Sequence, residues 1–82
     1  MYFVHRDHIL LGIGLIDDNE IRFLASVYPN AGEDVIRGLC HSIMDEFVTL
    51  EVASNNVKAL NLYKNLGFVA TNLLATWYEI KK

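Results

Sequence analysis

One cysteine, one proline and one tryptophan in 82 residues exclude several kinds of chemistry at the outset. A single thiol forms no internal disulfide, so this is not a disulfide scaffold, and the usage is consistent with a reducing compartment. Basic residues are scarce as well: seven lysines and arginines stand against ten acids, a net charge of −3. That balance, with no basic stripe, argues against a nucleic-acid partner. The longest apolar run, Ile9 to Ile16, is far too short for a bilayer span, and no membrane partner is expected. The stretch MYFVHRDH lacks signal-peptide architecture, so the expected location is cytoplasmic. Linkers, internal repeats and low-complexity segments are missing too, which leaves one domain over residues 1–82.

Metal-ligand spacing is equally absent. His5 and His8 sit on either side of a turn, and His41 follows Cys40 on a helix, where adjacent residues face different ways. No metal is expected from such a set.

What the chain does have is apolar surface. Fully 52% of the residues are hydrophobic and 21% are charged, in a chain near the lower size limit for a self-sufficient core. Such an excess is commonly buried against a second copy, so a homodimer is expected. Charge is divided unevenly, with the acids concentrated before Val52 and four lysines after it. A mildly basic C-terminal part suits an anionic ligand; the plainer reading of Lys58, Lys64, Lys81 and Lys82 is a solvated surface.

Local pattern divides the chain into a mixed α/β order. Tyr2 to Val4 is a short apolar stretch before a polar turn at His5-Arg6-Asp7. Ile9–Ile16 and Ile21–Val27 read as strands joined around Asp17-Asp18-Asn19-Glu20, most simply a hairpin. Gly12 and Gly14 lie within the first of these, where close packing explains them better than a phosphate loop. After Pro29-Asn30-Ala31-Gly32 the period becomes helical, from Glu33 or Asp34 to about Phe47. Val35, Leu39, Ile43 and Phe47 form one row, with Ile36, Cys40 and Met44 beside it. Val48–Val52 follows as a strand, and a helix–strand passage of this kind favours parallel pairing through a right-handed crossover. A second helix starts at Ser54 or Asn55, buries Ala59, Leu62, Tyr63 and Leu66, and ends at a left-handed Gly67. Phe68–Thr71 and Leu74–Ile80 close the chain as antiparallel strands with Asn72 near the turn. The order is β-β-β-α-β-α-β-β.

The identities within the second helix carry more than its spacing. Asn55, Ala59, Leu62, Tyr63, Gly67 and Phe68 spell N-x-x-x-A-x-x-L-Y-x-x-x-G-F. This resembles the last helix and following strand of the GNAT N-acetyltransferase superfamily, and Leu50-Glu51-Val52 resembles the strand before that helix. The resemblance covers roughly the last three quarters of the chain. It implies an abbreviated acyl-CoA N-acyltransferase-like fold, an acetyl-CoA co-substrate and transfer of acetyl to an amine. In that family the coenzyme lies where two parallel strands splay apart, here Ile21–Val27 and Val48–Val52. Backbone groups at Ala25, Ser26 and Val27 would then pair with the pantetheine arm like an added strand. The family's glycine-rich pyrophosphate loop corresponds to residues 30–38, which carry Gly32, Arg37 and Gly38. Gly32 fits the leading glycine, whereas Asp34 and Ile36 stand where two further glycines belong.

Glu33 and Asp34 therefore crowd a site suited to a diphosphate, with Arg37 one turn on to offset them; otherwise they are ordinary acids of a first helical turn. By the same resemblance Tyr63 is the catalytic acid, protonating the departing thiolate, with the oxyanion met by a backbone N–H near Val27. Asn55 would help fix the coenzyme. The plainer alternatives are a core-packed tyrosine and a helix cap. Glu20 and Glu51 neighbour the cleft strands, but no motif makes either a general base. The acceptor-side strand and helices of the family are absent or reduced, so the chain is either a minimal domain or a piece of a longer enzyme. The second functional reading is an inactive dimeric interaction or CoA-sensing module.

Overall fold

The computed structural model describes residues 1–82. Its elements are β1 (Tyr2–Arg6), β2 (Ile9–Asp17), β3 (Glu20–Ser26), α1 (Gly32–Ser42), β4 (Phe47–Glu51), α2 (Val57–Leu66), β5 (Val69–Ala70) and β6 (Trp77–Lys81). They build one mixed six-stranded sheet in the order β1-β2-β3-β4-β6-β5. All neighbours are antiparallel except β3 and β4, which are parallel across α1. The expected order of elements, the β2–β3 hairpin and the parallel crossover are all present. No helix is long and apolar enough to cross a membrane.

The helix-covered face of the sheet is shaped by two glycines. A Cβ on Gly12 would lie 2.4 Å from both the Ala25 carbonyl oxygen and Val35 Cγ2, and one on Gly14 2.4 Å from Leu39 Cδ1. Bare backbone at these two positions lets α1 lie close on β2, with Val35 and Leu39 sealed beneath it. Around that contact sits a single core that includes Ile21, Ile36, Val48, Leu50, Tyr63 and Tyr78. Alternation sends Phe3, Leu15 and Phe23 to the opposite face. There they remain 60%, 42% and 51% exposed, with Phe3 opposite Ile13 and Leu15 opposite Phe23.

Element boundaries depart from the sequence reading at three places. Helix α1 ends at Ser42, because Ile43 is already extended and Asp45 Oδ1 accepts from the Phe47 N–H in a local turn. Phe47 therefore belongs to β4, and Met44 is 98% exposed rather than on a buried row. The N-cap of α2 is Asn56, not Ser54 or Asn55. A turn closed by Asn56 N–H on the Ala53 carbonyl comes first, and Asn56 Oδ1 then accepts from Ala59 N–H at 3.3 Å. Strand β6 begins at Trp77, since Asn72 Oδ1 takes the N–H groups of Thr76 and Trp77 at 3.0 and 3.1 Å and leaves Leu73 and Leu74 in an exposed turn. Small shifts also occur at β1, which runs through His5 and Arg6, with the turn at Asp7-His8. Gly67 is left-handed as expected, at φ 106°. Its N–H and that of Phe68 return to the carbonyls of Lys64 and Tyr63, a paired helix terminator.

The glycine seats give a ranked expectation. Gly12→Ala meets backbone oxygen, which cannot move aside, and should cost about 3 kcal/mol. Gly14→Ala meets only side-chain atoms of Leu39, which can shift where backbone cannot, and should cost about 1 kcal/mol. Urea unfolding with an unchanged slope measures both, and equal losses would contradict the account.

Candidate functional site

The site begins where the β3–β4 ladder ends. These strands pair only at Glu20 with Thr49 and at Ile21 with Leu50. Across β2 the register jumps from Ile16 opposite Ile21 to Leu15 opposite Phe23, leaving Arg22 unpartnered. That extra residue is a β-bulge, which bends a strand and increases its twist. It falls one residue after the last rung with β4, so β3 turns away just there. The result is a cleft of about 870 Å³ beyond the C-terminal ends of two parallel strands, the position that open α/β sheets favour for ligands.

The bulge also decides which backbone groups face the cleft. Asn19 directs its carbonyl at Thr49 of β4, whereas Val27, of the same parity, gives its N–H to Leu11 of β2 at 2.8 Å. Parity has therefore reversed between them, as one extra residue requires. Beyond Arg22 the main-chain groups of Ala25 and Val27 point to β2, and those of Leu24 and Ser26 point to the open side. This corrects the expectation for Ala25 and Val27. Ala25 does not border the cleft, and the Val27 N–H is already committed and is not free to meet an oxyanion. The main chain of Ser26 faces the open side, and that of Leu24 does so as well.

Both helices aim their N-termini at this opening, with Gly32 and Glu33 of α1 and Lys58 and Ala59 of α2 in its walls. Ala31 caps α1 without any side-chain hydrogen bond, and the Val35 N–H is the first to bond back within the helix, to Ala31. The N–H groups of Gly32, Glu33 and Asp34 therefore have no partner within the helix. Glu33 brings a carboxylate beside them, whereas Asp34 is drawn off into an ion pair with Arg6 of β1. A Cβ on Gly32 would meet Leu62 Cδ2 at 3.0 Å, so the glycine lets the two helix starts approach.

Tyr63 lies in the second turn of α2 and forms part of the cleft wall. It is 7% exposed, with its ring against Phe68 at 5.7 Å between centroids. No hydrogen bond within the chain engages its hydroxyl, and no unbonded side-chain oxygen is sealed from solvent, so the hydroxyl is accessible on a residue that borders the cleft. Burial pushes the phenol above its ordinary range.

The remaining expected site residues lie elsewhere. Arg37 is one turn beyond the cleft, paired with Glu33 at 3.1 Å and bordering a different cavity. Gly38 faces β1, where a Cβ would come within 2.7 Å of Val4, so it is a packing glycine. Asn55 does not border the cleft; Asn56 does, and it caps α2 as well. The sequence reading missed Arg22, Tyr28 and Lys58 on the cleft walls. Lys58 had a weak signal in its place within the first turn of a helix, but Arg22 had none, since a bulge leaves no mark in Glu20-Ile21-Arg22-Phe23. No group of three His, Cys, Asp or Glu side chains converges to hold a metal.

Comparison of the chain with protein-family models, with curated proteins and with solved structures returns no match.

Two measurements follow from this geometry. Asn56→Ala should cost about 1 kcal/mol through the lost cap, while Asn55→Ala stays within about 0.5 kcal/mol, read from paired thermal melts. In an ultraviolet titration, the difference between wild type and Tyr63→Phe isolates this phenol, which should ionise above pH 10.0. The folded state then holds its proton where the unfolded chain has lost it. Stability is thus full below the ordinary phenol pKa and falls as pH rises from there toward the folded pKa.

Proposed function

We propose that the chain is an acetyl-CoA-dependent N-acetyltransferase of abbreviated acyl-CoA N-acyltransferase-like fold, acting on an amine by direct attack. One observation carries the reading: parallel strands that part at Arg22, leaving free main-chain groups at Leu24 and Ser26 opposite a tyrosine hydroxyl without a partner. An extended amide-bearing arm such as pantetheine suits that edge, because it can pair there as a further strand. The uncapped start of α1 offers N–H donors and the positive end of a helix dipole to a phosphate. Glu33 opposes this with a like charge, which makes binding weak rather than absent, since a solvated repulsion costs on the order of 1 kcal/mol.

In the transfer itself the amine nitrogen attacks the thioester carbonyl carbon, the C–S bond breaks, and the nitrogen releases its extra proton to solvent. Tyr63 meets the sulfur as negative charge builds on it. A buried phenol is a weaker acid than a thiol of ordinary pKa about 8.5. Its contribution is therefore the hydrogen bond made in the transition state rather than a complete proton transfer, and it falls at the low end of acid catalysis.

The uncovered apolar face at Phe3, Leu15 and Phe23 supports a homodimer. A second reading, an inactive interaction or CoA-sensing module, is favoured by one observation, the Glu33 carboxylate on the cleft wall beside the α1 terminus.

Titration calorimetry with acetyl-CoA should give measurable heat at millimolar ligand. Tyr63→Phe should leave that binding within about twofold and lower kcat roughly 100-fold with a small primary amine acceptor. No heat and no thermal shift would end the coenzyme reading. Binding without transfer to any amine would leave only the sensor.

A further inference from the structure

A second cavity lies at the other end of α1 from the cleft and shares no lining residue with it. Its volume is about 350 Å³, within the range of small-molecule sites. Ile36, Leu66, Phe68 and Ile80 form an apolar floor between the two helices and β6, and Cys40 stands half-buried among them. Every ionisable side chain on the rim apart from that thiol is basic: Arg37, His41 and Lys82. An apolar hollow with basic side chains and no acidic one on its rim is complementary to one kind of molecule.

We propose that this cavity binds a small carboxylate with an apolar body, such as a medium-chain fatty acid, its tail on the Ile36–Phe68–Ile80 floor and its head between Arg37 and Lys82. The cations keep donors for it. Lys82 Nζ gives one hydrogen bond to the Ile43 carbonyl, which leaves two N–H donors. Arg37 gives one nitrogen to Glu33 in an exposed pair that contributes little, and its other donors are free. The field of both groups reaches the hollow, since Lys82 and Arg37 each pull the Cys40 thiol downward while burial, the larger effect, pushes it up. Cys40 thus stays protonated at neutral pH and alkylates slowly, which suits it to be a reporter rather than a catalytic nucleophile. The proposal stands apart from the acetyl-CoA reading, because no part of it involves the cleft.

Cys40 is the only cysteine in the chain, so its alkylation by iodoacetamide, an uncharged reagent, reads occupancy directly. A ligand the size of octanoate in a half-open site should bind with a dissociation constant of about 1 mM. Octanoate at about 5 mM should then slow alkylation about sixfold. Octylammonium, with the same tail and opposite charge, should leave the rate unchanged. Arg37→Gln should halve the protection or more, and Arg37→Gln with Lys82→Gln should abolish it. Arg37→Gln alters only an exposed side chain, so it decides the matter even where the double variant does not fold. Unfolding by the probe would speed alkylation and could not imitate protection. Absence of slowing by octanoate, equal slowing by octylammonium, or full protection in Arg37→Gln would each overturn the proposal.

Discussion

A single unpaired residue governs the rest of this structure. Arg22 sits in β3 without a partner on β2, one position after the last rung shared with β4. A regular strand there would keep pairing with its parallel neighbour until one of them ended. The bulge instead bends β3, opens the sheet and reverses the direction of every later backbone group. The opening, the free groups at Leu24 and Ser26, and the commitment of Val27 to Leu11 all follow from that residue.

The space so opened would collapse without rigid walls, and the two glycines of β2 supply one of them. With no Cβ at Gly12 or Gly14, Val35 and Leu39 drive α1 onto the sheet, and the N-terminus of α1 is fixed at the mouth of the cleft. On the other side, Asn56 and the Gly67 terminator hold α2 at a defined length. Tyr63 is thereby kept in the core by its ring while it borders the cleft. Packing and site geometry are the same contacts seen from two sides.

Electrostatics along α1 is organised by pairing. Asp34 is drawn to Arg6 on β1, Glu33 bonds Arg37 four residues on, and Lys82 reaches back to the carbonyl of Ile43. These exposed pairs contribute little stability each. Their effect is on charge distribution: of the two acids in the first turn of α1 only Glu33 borders the cleft, while Arg37, His41 and Lys82 gather at the far end around Cys40.

Much of the fold was legible from residue pattern, because it depends on local preferences. Alternating runs gave the hairpin, the helical period after Gly32 gave α1, and Gly67 marked the end of α2 through its tolerance of positive φ. Choices among equivalent polar residues were not legible. Ser54 and Asn55 were the expected caps of α2, and only the turn from Ala53 selects Asn56 instead. Arg37 and Gly38 were expected at the cleft because the resemblance sets a pyrophosphate loop over residues 30–38, yet a helix of 3.6 residues per turn carries them to other faces. By itself, the sequence determined the element types, their order and the tyrosine on α2, since these rest on side-chain period and backbone preference within a few residues. The tertiary structure alone decided where β3 leaves β4 and which main-chain groups face the gap. An unpaired residue exists only relative to a partner strand, and no single stretch of chain contains both.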